Sequence, residues 1–271
     1  MAFKHGSSTK VYCDKYELSS YLNNAVVTQN GEPNETTTFT NSSKAFIKGL
    51  TSGALTLDGL YEGSTDIDPT SGTTIDFDEF MNSLIAASSP SVLTVVPYTM
   101  AAGSWVKGAY ARLNSYEMNS PVSDVVSAST SWDAGNAGDS SGLVYASTCA
   151  AESLTTAGAI TPSAGSAVNG STVDSGAATT KGYIIANHII ANSSNTTQTI
   201  KVQHSTDGAS WSDLVTLHTN LAAGTLASGI TGATSGTLNR YLRFQFSASG
   251  SYSSGTITPI ISVGRISATQ E

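Results

Sequence analysis

Residues 54–61, ALTLDGLY, place Leu55, Leu57 and Tyr61 on one side of an extended chain and Thr56 and Asp58 on the other. A repeat of two is the mark of a strand with one buried face and one solvated face. Asp58 therefore points away from the core. Downstream, the stretch 76–85, DFDEFMNSLI, changes period. Phe77, Phe80, Met81, Leu84 and Ile85 fall at i, i+3, i+4, i+7 and i+8, which is one apolar stripe on a helix. Asp76 stands at the N-cap, and Glu79 three residues on has the capping-box spacing. Ile75 and Phe80 flank that cap as a hydrophobic staple, and Ser88, Ser89 and Pro90 stop the helix. The pair predicts a β-sheet with one short helix docked on it.

Working outward, Val11–Tyr12 and Tyr16–Leu22 read as short strands either side of a turn at Asp14–Lys15, and Ala25–Gln29 as a valine-rich strand. The segment 30–44 is polar and rich in Thr, Asn and Glu, with Pro33 breaking any ladder, and predicts a long exposed loop or hairpin arm. After the helix come the extended runs Val92–Val96, Trp105–Met118 and Val122–Trp132. The middle one is long for a strand and is expected to bend at Gly108. Residues 133–142 read as a turn or linker, 143–146 as a weak strand, and 152–180, almost wholly small residues, as loop or linker. The second half resumes with Tyr183–Ile190. Thr199–His204 and Trp211–Leu217 follow as a hairpin turning at Asp207–Gly208, and then Tyr241–Phe246 and Thr256–Val263. Regular short strands with turn signals between them argue a second sandwich. The fold class expected is all-β, two β-sandwich domains, the first with one short α-helix and a long extended loop. The division falls at 1–150 and 151–271, placed to within about 15 residues by a featureless linker.

The composition agrees with short strands and many turns. Of 271 residues only 12% are charged, and Ser, Thr, Ala, Gly and Asn fill the difference. The formal charge is −8, and it is unevenly spread. Residues 1–152 hold seven Lys or Arg against sixteen Asp or Glu, and residues 153–271 hold five against four. A strongly acidic half does not grip nucleic acid, because tight binding needs cations that displace phosphate counterions. It suits either plain solubility or a passage that DNA slides through. No stretch nears the roughly 18 apolar residues of a membrane span, and the opening MAFKHGSSTK lacks the apolar core of a secretory signal. No export by that route is expected, so the Asn-x-Ser/Thr triplets read as chance. Cys13 and Cys149 form neither a metal pair nor a disulfide framework.

Nothing in the chain spells catalysis. It has no Gly-rich phosphate loop, nucleophile elbow or paired His motif, so no enzyme, cofactor or metal is expected. His204 and His218 sit on neighbouring predicted strands, but no clustered Asp or Cys completes a shell. Asp66, Asp68, Asp76, Asp78 and Glu79 invite calcium, yet lack the alternation of a calcium loop. Trp211, in HSTDGASW, invites a glycan contact, although packing in its hairpin is the plainer reading.

Three stretches of the first half carry a resemblance: KHGSSTKVYCDKYELSSYLNN, ETTTFTNSSKAFIKGLTSGALTLDGLYEG and NSYEMNSPVSDVVSASTSW. With the order of strands, Thr-rich arm, helix and long paired strands, they resemble the tail tube, or major tail, proteins of siphophages. KVQHSTDGASWSDL and NRYLRFQF in the second half resemble the extra sandwich some of these proteins carry. The resemblance implies a structural subunit of rings, usually hexameric, that stack into a tube and conduct DNA through an electronegative lumen during ejection. It implies that 30–47 is the arm between stacked rings, with Glu32, Pro33, Asn34, Glu35, Thr36, Phe39 and Lys44 as its contacts. Asp58, Glu117 and Asp124 become the lumen-facing candidates. Its partners would be copies of itself, the tape measure, tip and terminator proteins, and DNA passing without specific binding. It would be assembled in the host cytoplasm and reside in the virion tail, with no membrane anchor. The rival readings are a carbohydrate-binding or surface-adhesion protein and another virion decoration or baseplate protein.

Overall fold

A computed structural model describes residues 6–39, 42–47, 51–68, 74–98, 100–135, 143–150, 154–155, 167–193, 197–221, 225–231, 236–249, 255–257 and 260–266. Among the described residues the protein is all-β with one α-helix. In chain order the strands are β1 (Lys10–Cys13), β2 (Tyr16–Glu17), β3 (Leu22–Gly31), β4 (Asn34–Glu35), β5 (Phe46–Ile47) and β6 (Thr51–Leu60). Helix α1 (Phe77–Ile85) follows, then β7 (Ser91–Val96), β8 (Trp105–Asn119), β9 (Ser127–Ala134), β10 (Leu143–Ala150) and β11 (Leu154–Thr155). The second half supplies β12 (Ala167–Asn169), β13 (Val173–Asp174), β14 (Lys181–Ser193), β15 (Thr197–Ser205), β16 (Ser212–Leu221), β17 (Thr225–Thr231), β18 (Tyr241–Ser249), β19 (Gly255–Ile257) and β20 (Ile260–Ile266).

Strand β8 organises the first half. Its residues 105–111 lie between β7 on one side and β10 on the other, while 111–119 pair with β9, which pairs in turn with β6 and then β3. Two sheets thus share one strand. They enclose a core of Leu55, Leu57, Trp132, Leu93, Val95 and Val11, closed by Phe77, Phe80 and Met81 of α1. The Asp76 side chain accepts the Glu79 backbone N–H at 2.8 Å, as its cap position predicts. The apolar stripe ends a residue early, for Ile85 at the last turn is 50% exposed.

The expected bend at Gly108 is not what that glycine provides. The register of β8 shifts farther on, between Leu113 and Ser115, and Gly108 stays within both ladders. A Cβ at Gly108 would lie 2.0 Å from Cδ1 of Ile185, so the glycine is what lets β14 approach β8 across a sheet buried on both sides. The strand expected over Val122–Trp132 begins only at Ser127, and 122–124 is a turn. Of the small-residue linker, 151–153 and 156–166 lie outside the described residues, as does 136–142 of the turn before it.

The second half is a sandwich whose sheets have different origins. One is the five-stranded β12–β18–β15–β16 sheet with β13 also on β18. The other contains β14 and β20, and continues through β10 into β8. Ile184, Ile200, Val202, Leu242, Phe244, Phe246 and Val263 fill the space between them. The long sheet also coils back, so that Ile185 and Ile260 pack on Tyr12, Val92, Val96 and Val106. This explains why Ser91–Val96 is buried at every position. Asn187 is sealed in that layer. Its amide donates to the backbone carbonyls of Asp14 at 3.0 Å and Val92 at 2.9 Å, and its carbonyl accepts from the Thr94 hydroxyl.

Replacing Asn187 by Leu leaves the Asp14 carbonyl and the Thr94 hydroxyl without this partner, while the Val92 carbonyl still accepts the Asp14 N–H. The expected loss is roughly 2–3 kcal/mol in urea unfolding, with both halves affected together. A second expectation concerns the Asp174 carboxylate, which the Arg240 guanidinium and the Gly176 N–H hold down to about 2. A pKa depressed in the folded state stabilises above the unfolded value and ceases to do so as pH falls through the folded one. The Tm difference between the unaltered chain and Asp174→Asn should therefore be constant from neutral pH to about 4 and vanish toward about 2.

Candidate functional site: a four-stranded sheet with two open edges

The order β3–β6–β9–β8 makes a four-stranded antiparallel sheet whose inner face meets the core. Its outer face is set by alternation. Across it run rows of directly opposed residues: Asn24, Asp58, Ser129 and Glu117 form one row, and Val26, Thr56, Ser131 and Ser115 the next. Thr28, Ala54, Asp133 and Arg112 form the third. Side chains here are short and mostly polar, and the face carries three carboxylates against one guanidinium. Asp58 is fixed in place, since its two oxygens accept from Asn24 Nδ2 at 2.9 Å and Ser129 Oγ at 2.6 Å. The structure therefore places Asp58 and Glu117 in one row. Asp124 is elsewhere: it sits in the turn joining β8 and β9, where its carboxylate accepts the Val125 N–H. Asp133 shares the outer face and was not singled out from the sequence, although it alternates with Trp132 as Asp58 does with Leu57.

Both lateral edges of this sheet are open. Among the described residues, no strand pairs with β3 on the side away from β6, nor with residues 112–119 of β8 on the side away from β9. Exposed sheet edges are templates for pairing with another chain.

Both ends of the sheet carry exposed apolar side chains. At one end β3 and β6 run on into the arm, where β4 and β5 pair Asn34 with Ile47 and Glu35 with Phe46. Residues 31–39 are exposed throughout, including Glu32, Pro33, Asn34, Glu35, Thr36 and Phe39. Lys44 is exposed too and lies 3.4 Å from Glu35. Phe39, Phe46 and Ile47 present bare apolar surface on this arm. At the other end the exposed apolar residues are Leu60, Met118, Val122 and Val125. Scattered exposed apolar residues are ordinary, but two clusters at opposite ends of one sheet are not.

The residues that suggested metal chemistry are otherwise engaged. Asp66 accepts the N–H groups of Asp68 and Ile75, Asp76 caps the helix, and Asp78 accepts the Tyr116 hydroxyl at 2.8 Å. Burial and the Asp78 carboxylate push the Tyr116 phenol up. Glu62 is held below the usual carboxylate range by hydrogen bonds from Ser64 and Thr65. His204 and His218 stand opposite Ser212 and Ile200, four residues apart along β15, hence about 13 Å. Among the described residues no group of three His, Cys, Asp or Glu could hold a metal. The side chains of His188 and Cys149 lie outside the described residues, and Cys13 is buried as a free thiol. Trp211 is half-buried, with the Arg243 guanidinium 4.2 Å from its ring centre.

No protein-family model matches the chain, and no curated protein does. Among solved structures, the chain is similar to one in the virion of a native gene transfer agent particle, with 11% identity and a TM-score of 0.41 over 53% of this chain and 98% of that one. It is similar to one in the tail of an empty gene transfer agent particle in C6 symmetry, with 11% identity and a TM-score of 0.39 over 53% and 98%. The SPP1 tail tube matches with 10% identity and a TM-score of 0.39 over 49% and 76%.

Proposed function

We propose that this chain is the structural subunit of a phage-type tail tube, built of stacked rings around a bore that conducts DNA. The observation that carries the reading is the four-stranded sheet with two open edges and one small, polar, net acidic face. Its neighbours are antiparallel throughout, so β3 and β8 run in opposite directions. Copies placed side by side in one orientation therefore bring β8 of one against β3 of the next as an antiparallel pair. Such joints, repeated, close into a barrel without edges. Side-chain alternation then keeps every outer face on the same surface of the barrel.

That surface is the bore in this reading. Asp58, Glu117 and Asp133 line it, and their short neighbours leave a phosphate backbone few places to stick. Asp124 marks the rim at the β8–β9 turn. The arm, with Phe39, Phe46 and Ile47 exposed and with Glu32, Pro33, Asn34, Glu35, Thr36 and Lys44 around them, reaches the next ring. Contact between unlike ends of identical subunits is open-ended, which is the symmetry of a filament. The second half, residues 151–271, decorates the outside. The tape measure, tip and terminator proteins are the partners this reading adds, and the virion tail is its location.

Electron microscopy of the purified, concentrated protein should show hollow tubes or stacked rings. Phe39→Ser combined with Ile47→Ser should leave the subunit's unfolding within about 0.5 kcal/mol, because both side chains lie on the exposed arm, yet shorten or abolish the tubes. Flat sheets or solid fibres would contradict closure into a barrel. Tubes of undiminished length from the double variant would contradict the arm's role.

A further inference from the structure

At one end of the second-half sandwich the apolar rows of both sheets finish in a basic side chain. On β15, Ile200, Val202 and His204 alternate onto the core face, and on β20 Ile261, Val263 and Arg265 do the same. An imidazole from one sheet thus shares the core's end with a guanidinium from the other, both half-buried. Between them runs the segment 238–240, and the two side chains hold it jointly. His204 Nδ1 accepts the Asn239 N–H at 3.3 Å, while Arg265 donates to the carbonyls of Leu238, Asn239 and Arg240. Leu238 also exchanges two backbone hydrogen bonds with Thr179, and its side chain is buried in the core.

Only a neutral imidazole does this. A ring nitrogen that accepts an N–H carries no proton, so Nδ1 is bare and Nε2 bears the hydrogen. A second proton goes to Nδ1, where it meets the Asn239 N–H donor to donor and sets an imidazolium beside Arg265. Burial and the Arg265 charge accordingly hold the His204 imidazole below its ordinary value. The surrounding charges are committed elsewhere. Asp174 acts on Arg265 but already takes two hydrogen bonds from Arg240. Lys201, Asp213 and Arg243 lie on the opposite face of the β15 sheet, where Lys201 bonds Asp213 and Gln203 joins Asp213 to Arg243. Asp207 accepts the N–H groups of Ala209 and Ser210 in the β15–β16 turn. His218 on β16 stands opposite Ile200, four residues along β15 from His204.

We propose that His204 is a latch that acid opens: neutral, it holds Leu238 and Asn239 down over the end of the second-half sandwich; protonated, it lets them lift, with the Arg240–Asp174 pair as the pivot. The pivot survives because the Arg240 guanidinium holds the Asp174 carboxylate down to about 2. Linkage fixes the direction. A histidine depressed in the folded state stabilises the closed form above its ordinary value of about 6.5, and that contribution is lost as pH falls through the folded value. The response belongs to the second half, since no histidine stands between residues 6 and 187. It does not rest on the tail-tube reading.

The test is amide hydrogen exchange on the full chain between about pH 7.5 and about pH 5, with the His204 imidazole followed by nuclear magnetic resonance. Corrected for intrinsic rates, protection at Thr179, Leu238 and Asn239 should fall about tenfold over that range, the size of one lost hydrogen bond. The midpoint of the fall should coincide with the His204 titration, and protection at Leu55 and Trp132 in the first half should hold. His204→Gln offers an oxygen to the same N–H and takes no proton, so it should abolish the fall. His218→Gln should leave it intact. Unchanged protection in the unaltered chain, or a fall whose midpoint differs from that of the His204 imidazole, would overturn the proposal. A fall that persists in His204→Gln would overturn it as well.

Discussion

Strand β8 is longer than either sheet it belongs to, and the architecture follows from where its two ends go. Its residues 107–109 are paired on both edges and Val106, Gly108, Ala109 and Ala111 are buried, whereas its last eight residues are bonded on one edge and solvated on one face. One continuous backbone therefore fixes a closed body and an open sheet rigidly to one another. The joint depends on close approach at the body end. Gly108 lets Ile185 sit against β8, and Asn187 ties β14 to the Asp14 carbonyl of the β1–β2 turn and to the Val92 carbonyl and Thr94 hydroxyl of β7. A side chain at the first position or an apolar one at the second would push β14 away and loosen both halves.

The open sheet has the features that soluble proteins normally suppress. Edges are usually blunted by charge, proline or a covering loop. Here β3 is ten residues long, and its outer edge carries neither Lys nor Pro. The arm's Pro33 comes only after the strand has ended. An edge of that length is protected from aggregation by one specified partner, and in the proposed ring the antiparallel sense of β8 at the opposite margin would supply one in an identical copy. Under that proposal the acidic charge concentrated in the first half would have a geometric meaning beyond solubility, since Asp58, Glu117 and Asp133 lie on the one face such closure would turn inward.

Much of this was legible in the sequence wherever a local period or a cap decided the outcome. Asp76 and Glu79 announced the helix, and the alternation around Leu55 and Leu57 correctly sent Asp58 to the outer face. The Asp207–Gly208 turn joins β15 and β16 as read, with Gly208 at φ +73° and Asp207 held below the usual carboxylate range by the N–H groups of Ser210 and Ala209. Long-range facts were not legible. Gly108 looked like a bend because a glycine in a strand usually marks one, while its actual partner lies 77 residues away. Asn187 sat unnoticed beside His188 in an apolar run, because only tertiary contact reveals what a buried amide satisfies. Asp124 was grouped with the face because the strand was expected to begin at Val122, and the chain turns there instead. That the second half shares its sheet with the first, through β10 and β20, depends on pairing that no local signal encodes.

The account turns on whether the two open edges find each other. Hydrogen exchange resolves this at the residues concerned, Leu22–Gly31 and 112–119, in the isolated subunit and in assembled particles. The account predicts that the edge-facing amides of both segments exchange quickly in the subunit and become protected together on assembly, while β14 and β20 change little. Assembled particles in which these two edges exchange as fast as in the subunit would contradict it.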